Sequence, residues 1–175
     1  MTELTRDPVF NIIHNCIKRS IRILLANECF RGAILLIYSG IDTMAFLDMP
    51  CNQKEVQSKD FIKWADRYIR FPCNEQLTGE EMYSARCGML HSYSPYSRST
   101  RDGRCRIVGY VDKSVPEIRY DPNVSKELVL VSVVALSEAF FIGVDQFLID
   151  LYSDAKKAAT ADERFNFLVQ CLPAY

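Results

Sequence analysis

The sequence predicts a mainly α protein: a helical bundle of about five to six helices with a small β-hairpin insert. Three observations lead there. Apolar residues recur at three- and four-residue steps over most of the chain. Helix-start signals repeat at Asp7-Pro8, Thr78/Glu81 and Thr160/Glu163. Only one stretch, 106–120, combines β-forming residues with a central run of turn formers. The chain has 175 residues, 49% hydrophobic and 25% charged, with no internal repeat and no linker, which suits a single domain over 1–175. This composition excludes a largely disordered or low-complexity chain.

Taken in order, the first helix starts with Asp7 as cap and Pro8 at the first helical position. Val9, Ile12, Ile13, Cys16, Ile17, Ile21 and Leu24 form its apolar stripe, with Lys18, Arg19 and Arg22 on the opposite face. A second helix is expected from about Glu28 to Asp48, ending before Pro50. Its middle, Ile34 to Ile41, is apolar nearly all round and belongs in the core, and the two helices should form an antiparallel hairpin. Ser58 is the expected cap of a third helix carrying Phe61, Trp64, Tyr68 and Ile69, which Phe71-Pro72 stops. Thr78 and Glu81 make a capping box for a fourth helix running to about His91. Residues 92–104 read as a loop made flexible by serines and Thr100. Strands are expected at Arg106 to Val111 and Glu117 to Tyr120, joined by a turn around Asp112 to Pro116. Ser125 should then start the longest helix, to about Tyr152, and Thr160 a short final one ending near Pro173.

Function classes narrow next. Residues 1–10 mix acid, base and proline and lack the basic and apolar regions of a signal peptide, so a cytoplasmic protein is expected. The two most apolar runs, Gly32 to Ile41 and Leu128 to Ser137, are interrupted by Asp42 and Glu138 and are too short for membrane spans. The seven cysteines form no C-x-x-C pair and are expected to be reduced, mostly as small core residues. Two histidines and no H-E-x-x-H leave zinc no recognisable site, so no metal is expected. No phosphate loop, triad motif or dinucleotide fingerprint points to a cofactor. The formal net charge of −1 argues against a chain coated in nucleic acid, yet residues 86–106 alone carry five Arg and one Asp. A basic segment of net +4 therefore sits on a body of net −5.

That segment begins with Arg86 and His91, an R-x4-H spacing near the end of a helix, within Tyr83, Ala85, Arg86, Cys87, Gly88, Leu90 and His91. The pattern, together with the preceding helical hairpin and the long helix behind it, resembles the standalone bacterial members of the HEPN superfamily. The resemblance implies a metal-independent RNA endonuclease and hydrolase working as a homodimer. The ribose 2′-OH would attack the neighbouring phosphate, with His91 moving the proton and Arg86 steadying the charge. Side-chain chemistry suits that division, because imidazole titrates near neutral pH and guanidinium grips phosphate oxygens. The resemblance also implies a place in toxin–antitoxin or defence systems, with a nucleotidyltransferase-type antitoxin as partner. Its alternative is a non-catalytic module binding nucleotide, RNA or protein. The chain departs from the family pattern at Cys87, where Asn, Asp or His commonly follows the Arg. Cys87 is read as a packing thiol or, less simply, as a thiolate nucleophile.

On an ideal helix Arg86 and His91 point about 140° apart. Convergence therefore requires the helix to loosen at Gly88, the arginine to curl round, or two copies to meet across a two-fold axis. A structural pairing is equally compatible with the residues, His91 favouring the helix C-terminus and Arg86 bridging to an acid. Asp42 either orients Arg86 as a supporting residue or sits at the helix rim, and Tyr38, four residues earlier, is a hydrogen-bonding candidate for it. His14 reads as a core or surface histidine. Tyr93, Arg98, Arg101, Arg104 and Arg106 are the candidate substrate contacts, since arginine planes and tyrosine rings suit phosphates and unstacked bases. The same arginines could instead pair with acids of neighbouring helices.

Overall fold

The computed structural model describes residues 9–112 and 117–168. The predicted cap Asp7-Pro8, the centre of the 112–116 turn, Cys171 and Pro173 lie outside the described residues. The chain begins with a π-helical segment, Val9–Lys18, that continues directly into α1, Arg19–Ala26. Then follow α2, Phe30–Asp48; α3, Ser58–Tyr68; α4, Gly79–Ser92; and the one-turn α5, Arg98–Arg101. A small sheet comprises β1, Ile107–Val111; β2, Ile118–Arg119; and β3, Leu128–Ser132. Two helices close the described chain, α6, Val133–Tyr152, and α7, Ala155–Phe165.

The π winding decides which side chains of the first helix are buried. Ile12, Ile13, Ile17 and Ile21 enter the core as the stripe predicts, but so does Lys18, expected on the polar face. Bonding from i to i+5 stacks residue 18 under residue 13 rather than swinging it outward. The buried ammonium is satisfied there: Lys18 Nζ donates to Asp145 Oδ1 at 2.5 Å and to the Phe141 carbonyl at 3.1 Å.

α2 forms the axis of the bundle. It touches α1, α3, α4, α6 and α7, and Ile37, Tyr38, Ile41, Met44 and Ala45 have no exposed surface. By length and composition α2 could cross a membrane. Its neighbours on all sides make it a core helix instead. Trp64 and Tyr68 of α3 meet Phe147 of α6 edge to face at 5.8 and 5.5 Å, filling the opposite side of the core. At the C-terminal end of α2, Arg164 of α7 donates to the carbonyls of Leu47, Met49 and Pro50. These carbonyls lack partners within the helix, so the buried guanidinium supplies the missing donors.

The fold class matches expectation, and besides Lys18 four local expectations change. The β insert is a three-stranded sheet in the order β1-β3-β2, not a two-stranded hairpin. β1 runs parallel to β3, with Ile107 opposite Leu128 and Val111 opposite Ser132, while β2 runs antiparallel to β3. Residues 128–132, expected to be helix, are the central strand: Leu-Val-Leu-Val-Ser is β-branched at alternate positions, and Val129 and Val131 are fully buried. Ser132 then caps α6 by accepting the Ala135 N–H. α3 is capped by Gln57 with Asp60 rather than by Ser58. α7 starts at Ala155 under an Asp154 cap, so Thr160 lies mid-helix and bonds back to the Lys156 carbonyl.

Candidate functional site

The segment with chemical potential is α4 and the chain that folds back over its end. α4 starts where the sequence signals it. Thr78 Oγ1 accepts the Glu81 N–H at 3.1 Å, and Glu81 Oε2 accepts the Thr78 N–H at 2.9 Å. Met82, Ala85 and Met89 face the core. The helix stays regular through Gly88, so no loosening brings Arg86 and His91 together. Gly88 has another role. A Cβ there would lie 2.4 Å from the Ser94 carbonyl oxygen, so only glycine lets the returning chain pass this close.

Arg86 and His91 occupy different environments. Arg86 reaches α2, where its Nε and Nη2 both lie 2.9 Å from Asp42 Oδ2. The two side chains are 23% and 26% exposed. Burial raises the Asp42 carboxyl above its ordinary value, and the Arg86 hydrogen bond and charge only partly offset this. Burial would lower the Arg86 guanidinium, but the Asp42 bond and charge outweigh it and the net shift is upward. Arg86 also lies over the Tyr83 ring at 5.9 Å. Burial raises the Tyr83 phenol, with the neighbouring Cys87 adding to the effect. Asp42 thus orients Arg86 as one sequence alternative had it. His91 is exposed in the last turn of α4 and has no hydrogen bond or ion pair among the described residues. Tyr38 does not join Asp42. Its hydroxyl meets the Tyr110 hydroxyl of β1 at 2.6 Å, and burial pushes both phenols up.

The serine-rich stretch after α4 is pinned rather than loose. Ser84 Oγ and Ser97 Oγ share a buried hydrogen bond of 2.5 Å. Ser97 and Thr100 cap α5 reciprocally: Ser97 Oγ accepts the Thr100 N–H, and Thr100 Oγ1 accepts the Ser97 N–H. Tyr93, the residue after α4, takes a left-handed backbone, φ 53° and ψ 32°, where glycine or asparagine is usual. That conformation costs a tyrosine about 1 kcal/mol, yet its ring is 57% exposed and gains little from burial.

The five predicted contact residues divide. Arg98, 92% exposed, Arg101 and Arg104 project into solvent around Asp102, which lies 3.9 Å from Arg98 Nε and 3.1 Å from Arg104 Nη2. Exposed pairs of this kind contribute little and exchange readily for another anion. Tyr93 and Tyr96, just before the α5 turn in the chain, are also exposed. Arg106 does not belong with them. Its Nε and Nη2 bond to Glu81, its Nη1 bonds to Glu75 at 2.6 Å, and its Nη2 also reaches the Gln76 carbonyl. The Glu81 bond leads the upward shift of its pKa. Arg106 therefore ties β1 to the start of α4, and its donors are spent. Spacing alone could not separate it from Arg98, Arg101 and Arg104, because its partners lie 25 and 31 residues earlier. Sequence reasoning missed Tyr110, whose only signal is its alternation with Val108 along β1, and Arg31 in the first turn of α2.

Among the described residues no three His, Cys, Asp or Glu side chains lie together as a metal site. No family model matches this chain, and no curated protein and no solved structure matches it.

Proposed function

We propose that this chain is a cytoplasmic HEPN-like module that binds single-stranded RNA through the outer end of α4 and the α5 turn. One observation carries the reading: Arg98, Arg101 and Arg104 are exposed on a turn held in place by the Ser84–Ser97 bond, a few residues along the chain from the exposed Tyr93 and Tyr96. Cations with aromatic rings on a fixed frame suit phosphates and unstacked bases. The test is anisotropy titration of a labelled single-stranded RNA between 50 and 200 mM salt. Three phosphate contacts give a slope of log K against log salt of about −2. Replacing all three arginines by glutamine removes that slope, whereas a flat response in the unaltered protein refutes the reading.

Metal-independent cleavage is the second reading, favoured by an exposed, unengaged His91 on the same helix as an Arg86 held in one orientation by Asp42. Because the two residues diverge on a regular α4, one protomer's His91 must work with Arg86 of its partner, so the proposal includes a homodimer. The 2′-oxygen would lose its proton to His91 as it bonds to phosphorus, and the P–O5′ bond would break to leave a 2′,3′-cyclic phosphate. The departing 5′-oxygen would take a proton from the His91 imidazolium or water, and Arg86 would hold the charge that accumulates on the phosphoryl oxygens. Arg86→Ala and His91→Ala should each be inactive in EDTA, while an equimolar mixture should regain one composite site per mixed dimer. An inactive mixture in which mixed dimers form removes the shared-site mechanism. A toxin role and a nucleotidyltransferase-type antitoxin partner belong to this reading.

A further inference from the structure

A second opening lies between the first turn of α2, the end of α4, β1 and the start of α6. It is a cavity of about 500 Å³, within the size range of small-molecule sites. Its floor is apolar, built from Ile34, Met89, Val108 and Val133, all buried in the core. Phe30, Tyr93 and Tyr110 supply aromatic walls. Tyr110 presents its ring, since its hydroxyl is engaged by Tyr38. Tyr93 is the residue held in the left-handed conformation. A ring kept at a position better suited to glycine indicates that the side chain itself is needed there.

The rim carries the electrostatic argument. Arg31 stands at the mouth, exposed, with no hydrogen bond or ion pair among the described residues. It occupies the first turn of α2, where the helix dipole disfavours a cation. A bound anion would relieve that conflict. Asp112 lies on the same rim and keeps it from being uniformly positive, which favours a singly charged ligand over a polyphosphate. We propose that this cavity is a binding site for a small aromatic carboxylate, its ring between Phe30 and Tyr93 and its carboxylate on Arg31. The site is separate from the Arg86–Asp42 pair and stands whether or not the chain binds RNA.

The test uses 1-naphthoate as probe and 1-naphthylmethanol as its neutral counterpart, both titrated calorimetrically into the full chain. Naphthoate should bind once per chain, and the alcohol about tenfold more weakly or worse, as expected for loss of a charge-assisted hydrogen bond. Arg31→Gln should erase the preference for the acid while leaving the alcohol unchanged. Tyr93→Asn, which keeps a residue tolerant of the left-handed backbone, should weaken both ligands together. Val111→Trp, at the cavity edge, should block both; if that variant fails to fold, the Tyr93→Asn result decides. Equal affinity of acid and alcohol overturns the carboxylate assignment. No binding on the order of millimolar ligand, or binding unaltered by Tyr93→Asn and Val111→Trp, overturns the site.

Discussion

Removing Arg86 should harm this protein far more than removing the charge it pairs with. Both Arg86 donors converge on one oxygen of Asp42, and each side chain is about three-quarters buried. Arg86→Leu therefore strands a carboxylate that burial already disfavours. A fully buried pair broken in this way costs about 3–5 kcal/mol; allowing for the exposed quarter, about 2–3 kcal/mol is expected here. In a chain of 175 residues that lowers the melting temperature by about 4–12 °C. Asp42→Asn should cost less, because burial already opposes the Asp42 charge and this offsets part of what Arg86 loses with its counter-charge. The double variant should recover most of the Arg86→Leu loss. The pH dependence has a definite sign. A carboxyl raised in the folded state contributes stability below its unfolded pKa, about 3.9, and loses it as pH rises through the folded value. The Arg86→Leu defect should thus be mild in acid and grow upward through that window, and urea denaturation at several pH values measures it. If Arg86→Leu unfolds like the wild type at neutral pH, or the double variant is no better than Arg86→Leu, the stranded-charge account is wrong.

Three further outcomes follow from local geometry. Thr78→Ala removes one half of the α4 capping box and should cost about 1 kcal/mol, read as a fall of about 2–4 °C in melting temperature. Gly88→Ala places a methyl group against the Ser94 carbonyl, so hydrogen exchange at Ser94 to Thr100 should accelerate even if the core stays folded; unchanged exchange there would contradict the close approach. Arg164→Met keeps the apolar stem but leaves the end of α2 without its donors, and should cost about 2–3 kcal/mol in denaturant titration.

The helical part of the fold was legible because its determinants are local. The apolar centre of α2, the Thr78/Glu81 box and the stop of α3 ahead of Phe71-Pro72 each depend on residues within a few positions of one another. The sheet was harder. β1 finds its parallel partner across a long connection, and the β-branched run at 128–132 merges into the equally apolar start of α6 without a turn residue between them. At the candidate site, Asp42 was legible as a partner for Arg86 because an acid in an apolar helix demands one. The fate of Arg106 was not, since its carboxylates arrive through tertiary packing. The left-handed Tyr93 was hidden for the opposite reason: nothing in a tyrosine announces a backbone conformation normally reserved for glycine.

The clamp of Arg164 on α2 has a consequence for the order in which the molecule is made. The axial helix is synthesised early, but the donors for its last carbonyls sit 114 to 117 residues further along the chain. On a ribosome adding about 5–20 residues per second, α2 must wait several seconds with its end open to water. During that interval its apolar faces, later covered by α6 and α7, are available to chaperones. A helix made early in the nascent chain is thus among the last to be completed.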